Sequence, residues 1–379
     1  MTALRYIFCF LFVFWISFLN CQSINSELTL KTIMNGKDFI GHWPTNHKWL
    51  PNGDLVFKWK QNESNISEYY IVVDKQPVKL PDDKVQYVPN GEMVIHENKK
   101  FYVYTKDGRI FKWKIGDESP EVLFESNDYI HSLHLVKDTN KVFFTRNNTL
   151  CYVSTKSPYF KEFISFTQKE KDTPKSKQKI FLENQQLQLF EYNRSKEELN
   201  KSNKLKREKN ANWKKQPIAL VNGDVETVFI SSNENSLVYL VSEDQKQKYT
   251  QVENYVSKSG WSSSIKARPK VGRPDNKYQL FIRDLSLDSS FVINVKNLSG
   301  IYDKPVFLKD YAKDGYSPKY DAPKNIIYHN PIFNSKGDKA IVEIRSADNK
   351  DRWITVLDLS TRKLEEIDHQ HDDAWIGGR

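Results

Sequence analysis

The feature that most constrains this chain is a phrase that returns along it: a short apolar run, a tight turn, then an alternating apolar run. It reads Trp49-Leu50-Pro51-Asn52-Gly53-Asp54-Leu55-Val56-Phe57-Lys58-Trp59, and returns as Tyr87-Val88-Pro89-Asn90-Gly91-Glu92-Met93-Val94-Ile95. Each Pro-Asn-Gly supplies a turn, and alternation after it places Leu55, Phe57 and Trp59 on one face of a strand. Phe101–Tyr104 and Arg109–Trp113 flank Asp107-Gly108. That dipeptide tolerates the positive φ of a type I′ turn, so the segment is expected to be a hairpin. Fainter echoes occupy Leu133–Thr145, Val228–Val241 and Asn330–Leu359.

The two Pro-Asn-Gly glycines, Gly53 and Gly91, lie 38 positions apart, and later echoes are spaced more widely. Degenerate repeats of about 40 to 50 residues, each holding several short strands, are the mark of propeller blades. The expected fold is therefore all-β, a β-propeller of roughly 6–8 blades, closed or incomplete. A β-sandwich is the competing architecture, but it does not require the same phrase to recur. Aromatic residues make up 13% of the chain, which suits pleated and half-buried surfaces.

Two segments break the rhythm. Residues 1–22 open with Arg5, continue through the apolar run Tyr6–Leu19 and close on Asn20-Cys21-Gln22. The run falls short of the roughly 20 residues that span a bilayer and fits a secretory signal peptide, with cleavage expected after Cys21. The protein is then exported, to a periplasm or the extracellular space; acylation at Cys21 is the less favoured alternative. Residues 23–379 form the propeller region. Within it, about 168–216 is a charged insertion, helical over Phe181–Leu205.

That insertion also accounts for the net charge of +9, since Gln168–Gln216 holds 14 Lys/Arg against 7 Asp/Glu. A surplus confined to one solvated segment, on an exported chain, argues against a nucleic-acid partner. No membrane association is expected beyond the export signal. Cys9 and Cys21 lie in the leader, so Cys151 is left without an intramolecular partner and is expected to be a buried structural thiol.

Three phrases carry a family resemblance: Asn254-Tyr255-Val256-Ser257-Lys258-Ser259-Gly260-Trp261 with Ala267-Arg268-Pro269-Lys270-Val271-Gly272; Val342 through Ile354; and the tail Asp368 through Gly378. They resemble inter-blade and blade segments of the prolyl oligopeptidase / dipeptidyl peptidase IV family of serine peptidases. The resemblance implies an N-terminal propeller that precedes an α/β-hydrolase domain and restricts entry to peptides. The family's nucleophile sits in a Gly-Trp-Ser-Tyr-Gly-Gly elbow. Here Gly260-Trp261-Ser262-Ser263-Ser264 lacks the second glycine, and no triad follows. No catalytic residue is assigned, and the hydrolase domain is expected to be absent from this chain.

The expected role is therefore non-catalytic gating and selection of peptide substrates, reached through the missing catalytic domain. A stand-alone propeller that binds a peptide, glycan or protein is the alternative. Six residues are candidates for substrate contact. Glu197 and Glu198 lie in the insertion, where the family holds a substrate amine; a solvated helix face is the competing explanation. Arg345, Asp351, Arg352 and Trp353 lie in an alternating-charge group with Asp348, which could brace a hairpin or face a channel. His369 and His371 with Asp372 and Asp373 supply fewer positioned ligands than a structural metal site takes, so no metal and no cofactor is assigned.

Overall fold

The computed structural model describes residues 28–60, 66–96, 100–136, 139–169, 176–210, 215–245, 249–269, 275–309 and 321–377. The expected leader, 1–22, lies outside the described residues. The chain divides into two units, Met1–Val85 and Gln86–Arg379.

In the first unit, helices α1 (Leu30–Met34) and α2 (Lys37–Ile40) precede a sheet of β1 (Thr45–Trp49), β2 (Leu55–Trp59), β3 (Glu68–Val73) and β4 (Gln76–Lys79), with α3 (Asp82–Val85) after it. The strands pair in chain order, each antiparallel to the last. Gly53 takes φ +91° in the turn between β1 and β2, a conformation that favours glycine. Leu55, Phe57 and Trp59 do lie on one strand, β2, and the intervening Val56 is covered as well. Val56 is fully buried beside Phe57, while Leu55 and Trp59 are half-buried.

The second unit repeats this meander. A second sheet runs β5 (Met93–His96), β6 (Phe101–Lys106), β7 (Arg109–Lys114) and β8 (Glu121–Glu125). A third runs β9 (Ile130–Leu135), β10 (Lys141–Arg146), β11 (Thr149–Ser154) and β12 (Phe160–Gln168), with β13 (Ile218–Leu220) added parallel to β12. A fourth joins β14 (Asp224–Ile230), β15 (Ser236–Glu243), β18 (Lys277–Asp284) and β19 (Ser289–Val292). Between β15 and β18 the chain makes a separate hairpin, β16 (Tyr249–Asn254) and β17 (Ser263–Pro269). The fifth sheet holds β20 (Ile326–Tyr328), β22 (Lys339–Ser346), β23 (Asp351–Asp358) and β24 (Lys363–His371), with β21 (Ile332–Phe333) on β22. No sheet closes on itself among the described residues.

Local chemistry explains several boundaries. The β6–β7 turn places Asp107 at φ +49° and Gly108 at φ +76°, the two positive values a type I′ hairpin needs. A Cβ on Gly108 would meet the Ser126 carbonyl oxygen at 2.1 Å. The charged insertion forms two helices, α4 (Lys177–Leu189) and α5 (Glu191–Asn210), where one was expected. Phe190, at φ −123° and ψ +96°, is extended and breaks the helical ladder between them.

The period of two along each strand decides the packing. On β15, Leu237, Tyr239 and Val241 join a core with the third sheet's Phe143, Leu150 and Ile164. The intervening Val238 and Leu240 join a different core with the fifth sheet's Val342, Ile344 and Trp353. β10 divides in the same way: Phe143 faces the fourth sheet's residues, whereas Val142 and Phe144 pack with Phe101, Val103 and Ile110 of the second sheet. Successive sheets of this unit thus stack face to face, and β10 and β15 are apolar on both faces through their centres because both faces are covered. Cys151 lies in one of these cores, fully buried. Burial pushes its thiol up to about 12, which suppresses the thiolate.

Candidate functional site

The densest polar arrangement on the fifth sheet is built around Asp351, the first residue of β23. The β22–β23 turn delivers it. Asn349 takes φ +58°, Ser346 Oγ accepts from the Asp351 backbone N–H at 2.9 Å, and the same hydroxyl donates to Asp348 Oδ1 at 2.6 Å. From Asp351 onward, alternate residues turn inward: Asp351, Trp353, Thr355 and Leu357 are buried, while Arg352, Ile354 and Val356 are half-buried on the opposite face.

Asp351 is 1% exposed and its carboxylate collects three partners from two other chain segments. Lys324, just before β20, donates to Oδ2 at 2.6 Å. On β24, His369 Nε2 lies 3.0 Å and His371 Nδ1 2.8 Å from Oδ1. The other His371 ring nitrogen faces Asp373 at 3.3 Å. Burial opposes ionisation of Asp351, but the hydrogen bonds from Lys324, His371 and His369 outweigh it and hold the carboxyl below its usual range. The bond to Asp351 raises His371 above the ordinary imidazole value, against the smaller opposing effect of burial. Trp353 lies under this network, fully buried: its indole N–H donates to the Ser299 carbonyl at 2.8 Å, and its ring stacks on His369 at 5.2 Å.

The candidate residues are therefore only partly brought together. Asp351 and Trp353 share the buried face. Arg345 and Arg352 are direct partners across β22 and β23 on the other face. There Arg345 Nε donates to Glu343 at 2.7 Å and Arg352 Nε to Gln370 at 2.9 Å. Glu197 and Glu198 lie exposed on α5, with Glu197 3.6 Å from Lys201. The sequence missed Lys324 and Ser299, which lie 27 and 54 positions from the residues they bind and carry no local signal. His369 and His371 do act from one side of a strand, but their acceptor is Asp351.

Both Asp351 oxygens are occupied, and the network joins β20's approach, β23 and β24 as a brace. No group of three or more His, Cys, Asp or Glu side chains among the described residues is arranged to hold a metal ion. Ser262 follows the exposed turn that carries Trp261 and leads directly into β17, a strand; a nucleophile elbow leads into a helix.

A second polar seam joins earlier sheets. Ser132 on β9 takes φ +56°, and the backbone N–H groups of Ser132 and Leu133 both donate to the carboxylate of Glu92, which precedes β5. His134 pairs Nδ1 with the Ser132 carbonyl at 2.8 Å, and Nε2 accepts from the Ile230 N–H on β14 at 3.1 Å. This assigns the neutral Nδ1–H tautomer. Burial lowers the imidazole to about 4, a drop only partly offset by the Ser132 bond.

No family model matches the chain, and no curated protein matches it. Among solved structures it is similar to the crystal structure of Porphyromonas gingivalis dipeptidyl peptidase 4, at 9% identity and TM-score 0.41, over 92% of this chain and 43% of that one. It is similar also to a putative dipeptidyl aminopeptidase IV from Bacteroides ovatus, at 9% identity and TM-score 0.36, over 88% and 39%. TolB from Acinetobacter baumannii follows at 8% identity and TM-score 0.34, over 87% and 56%. The chain spans less than two thirds of the length of each of these proteins.

Proposed function

We propose that this chain is the propeller region of an exported serine peptidase of the prolyl oligopeptidase / dipeptidyl peptidase IV type, and that it admits and selects peptides without cleaving them. The observation that carries the propeller reading is the stacking of successive sheets, with β10 and β15 each dividing alternate residues between the core before it and the core after it. Blades of a propeller are organised in this way. The first strands support it, since β9 lies against both β5 and β14. The peptidase assignment rests on the three sequence phrases, and hydrolysis is assigned to a separate α/β-hydrolase region.

The test is the size and activity of the native protein. An antibody against Gln86–Arg379 should detect a species clearly larger than 44.6 kDa in source cells. That species should release p-nitroaniline from dipeptidyl p-nitroanilides, and the purified chain alone should not. Turnover by the chain alone would overturn the non-catalytic role. A native species no larger than this chain would replace it with a stand-alone binding module.

A further inference from the structure

The hairpin of β16 and β17 stands apart from the other sheets. It leaves the fourth sheet between β15 and β18, and among the described residues its strands pair only with each other. A lone two-stranded hairpin is marginal in water; three or more strands with an apolar face are needed for independent stability. This one also shows apolar surface. Val252 and Ile265, cross-strand partners, are 54% and 50% exposed, and Tyr255, Val256 and Trp261 stand out at the turn. The turn itself is fixed: Ser257 Oγ donates to the Trp261 carbonyl at 2.6 Å, and Gly260 takes φ +75°.

The two edges of the hairpin are unlike. β17 carries Lys266, Arg268 and Pro269, residue types that keep an edge strand from pairing with another chain. β16 reads Tyr249-Thr250-Gln251-Val252-Glu253-Asn254, with neither Lys nor Pro, and Tyr249, Thr250 and Val252 favour strands. An edge of this kind presents N–H and C=O groups that a further strand can take up. β16 is the unguarded side.

We infer that two copies of this chain associate through β16, paired antiparallel with itself about a two-fold axis at Gln251. That register sets Tyr249 opposite the partner's Glu253, and Thr250 opposite the partner's Val252. Lys266 holds its ammonium 5.6 Å from the centre of the Tyr249 ring, whereas Glu253 of the same copy sits farther along, opposite Ser264. The partner's carboxylate thus arrives beside a cation, and the contact repeats across the axis. Val252 and Ile265 of both copies fall on one face of the resulting four-stranded sheet. An axis at Val252 instead would set Glu253 against the partner's Gln251 and forgo the charge contact. None of this depends on the peptidase reading.

Sedimentation equilibrium of the purified chain at micromolar concentration should give twice the single-chain mass. Thr250→Lys/Val252→Lys sets lysines opposite one another across the axis and should weaken association about tenfold. Its circular dichroism should stay that of the parent, since both side chains are exposed. Glu253→Lys should weaken association less, and adding Lys266→Glu should restore it. In a Cys9→Ser/Cys21→Ser background, Gln251→Cys brings two thiols to the axis, with Cβ atoms about 4.5–5.5 Å apart, and should form a covalent dimer with oxidised glutathione. Val256→Cys, 90% exposed at the turn, lies about 30 Å from its counterpart and should not. A single-chain mass for the parent, a dimer indifferent to the paired lysines, or cross-linking at 256 as complete as at 251 would each overturn the inference. The size test of the peptidase reading is made on a denaturing gel, where this dimer dissociates, so the two failures are distinct.

Discussion

His134 and His371 both tie one strand to another, and they do so in opposite protonation regimes. His134 lies half-buried between the third and fourth sheets, stacked on Phe143 and tilted against Phe229, and accepts a backbone N–H. That bond needs a bare nitrogen, so the imidazole must stay neutral. His371 lies at the edge of the fifth sheet with a carboxylate on each side, so the imidazolium is favoured. The same side chain thus serves an apolar seam by withholding charge and a polar brace by carrying it.

The largest expected effect comes from removing the centre of the brace. Asp351→Ala leaves Lys324 facing a buried space with no counter-charge, and takes the acceptor from His369 and His371. Breaking a buried pair from one side costs about 3–5 kcal/mol, to be read by denaturant unfolding at neutral pH. Asp351→Asn keeps the volume and one acceptor and should lose less. A loss below about 1 kcal/mol in Asp351→Ala would mean the network is peripheral to stability.

The two regions also separate along the pH axis. The folded pKa of Asp351 is depressed, so its contribution is present above the ordinary carboxyl value of 3.8 and is lost as pH falls through the folded value. His371 is raised, so its contribution is present below 6.5 and is lost as pH rises through the raised value. The brace is therefore insensitive to pH between these limits. His134 is depressed from 6.5 to about 4, so its seam weakens across that interval as the unfolded chain takes up the proton. A shift of that size corresponds to up to about 3 kcal/mol. Unfolding curves at pH 7, 5.5 and 4 should show this slope in the parent chain, and His134→Gln should flatten it. A parent whose stability is unchanged down to pH 4 would contradict the neutral-imidazole seam.

What the sequence disclosed follows the range of the interactions involved. Asp107-Gly108 and Pro51-Asn52-Gly53 were legible because a turn is decided by the φ preferences of its own residues. The meander was legible because each sheet is built mostly from strands that are neighbours in the chain. The two-sided burial was not, because Leu237 and Val238 look alike and only the stacked sheets assign them to different cores. The arrangement of charges around β23 failed for a related reason. Arg345, Asp351 and Arg352 are close in sequence, but the pleat sends Asp351 to one face and Arg352 to the other. The partners that give Asp351 its role come from Lys324 and β24. His134 gave no signal, because its acceptor function depends on Ile230, 96 positions away.

The smallest expected effect concerns the insertion, where sequence and structure allow the sharpest contrast with the brace. Glu197 and Glu198 are adjacent on α5, so their side chains diverge by about 100° around the helix axis. Glu197 meets Lys201 one turn later at 3.6 Å, with both side chains about half or more exposed. Such a pair is worth only about 0.3–0.5 kcal/mol. Replacing both glutamates by Gln should leave stability within about 0.5 kcal/mol of the parent, against the several kcal/mol expected at Asp351. The same variant tests the remaining candidate for substrate contact. If these carboxylates receive a peptide's free amine, the Gln pair should raise KM for dipeptidyl p-nitroanilides in the larger native species that the proposed function calls for. If KM stays the same, α5 is a solvated helix face, and the charges that matter in this chain are those buried beneath β23.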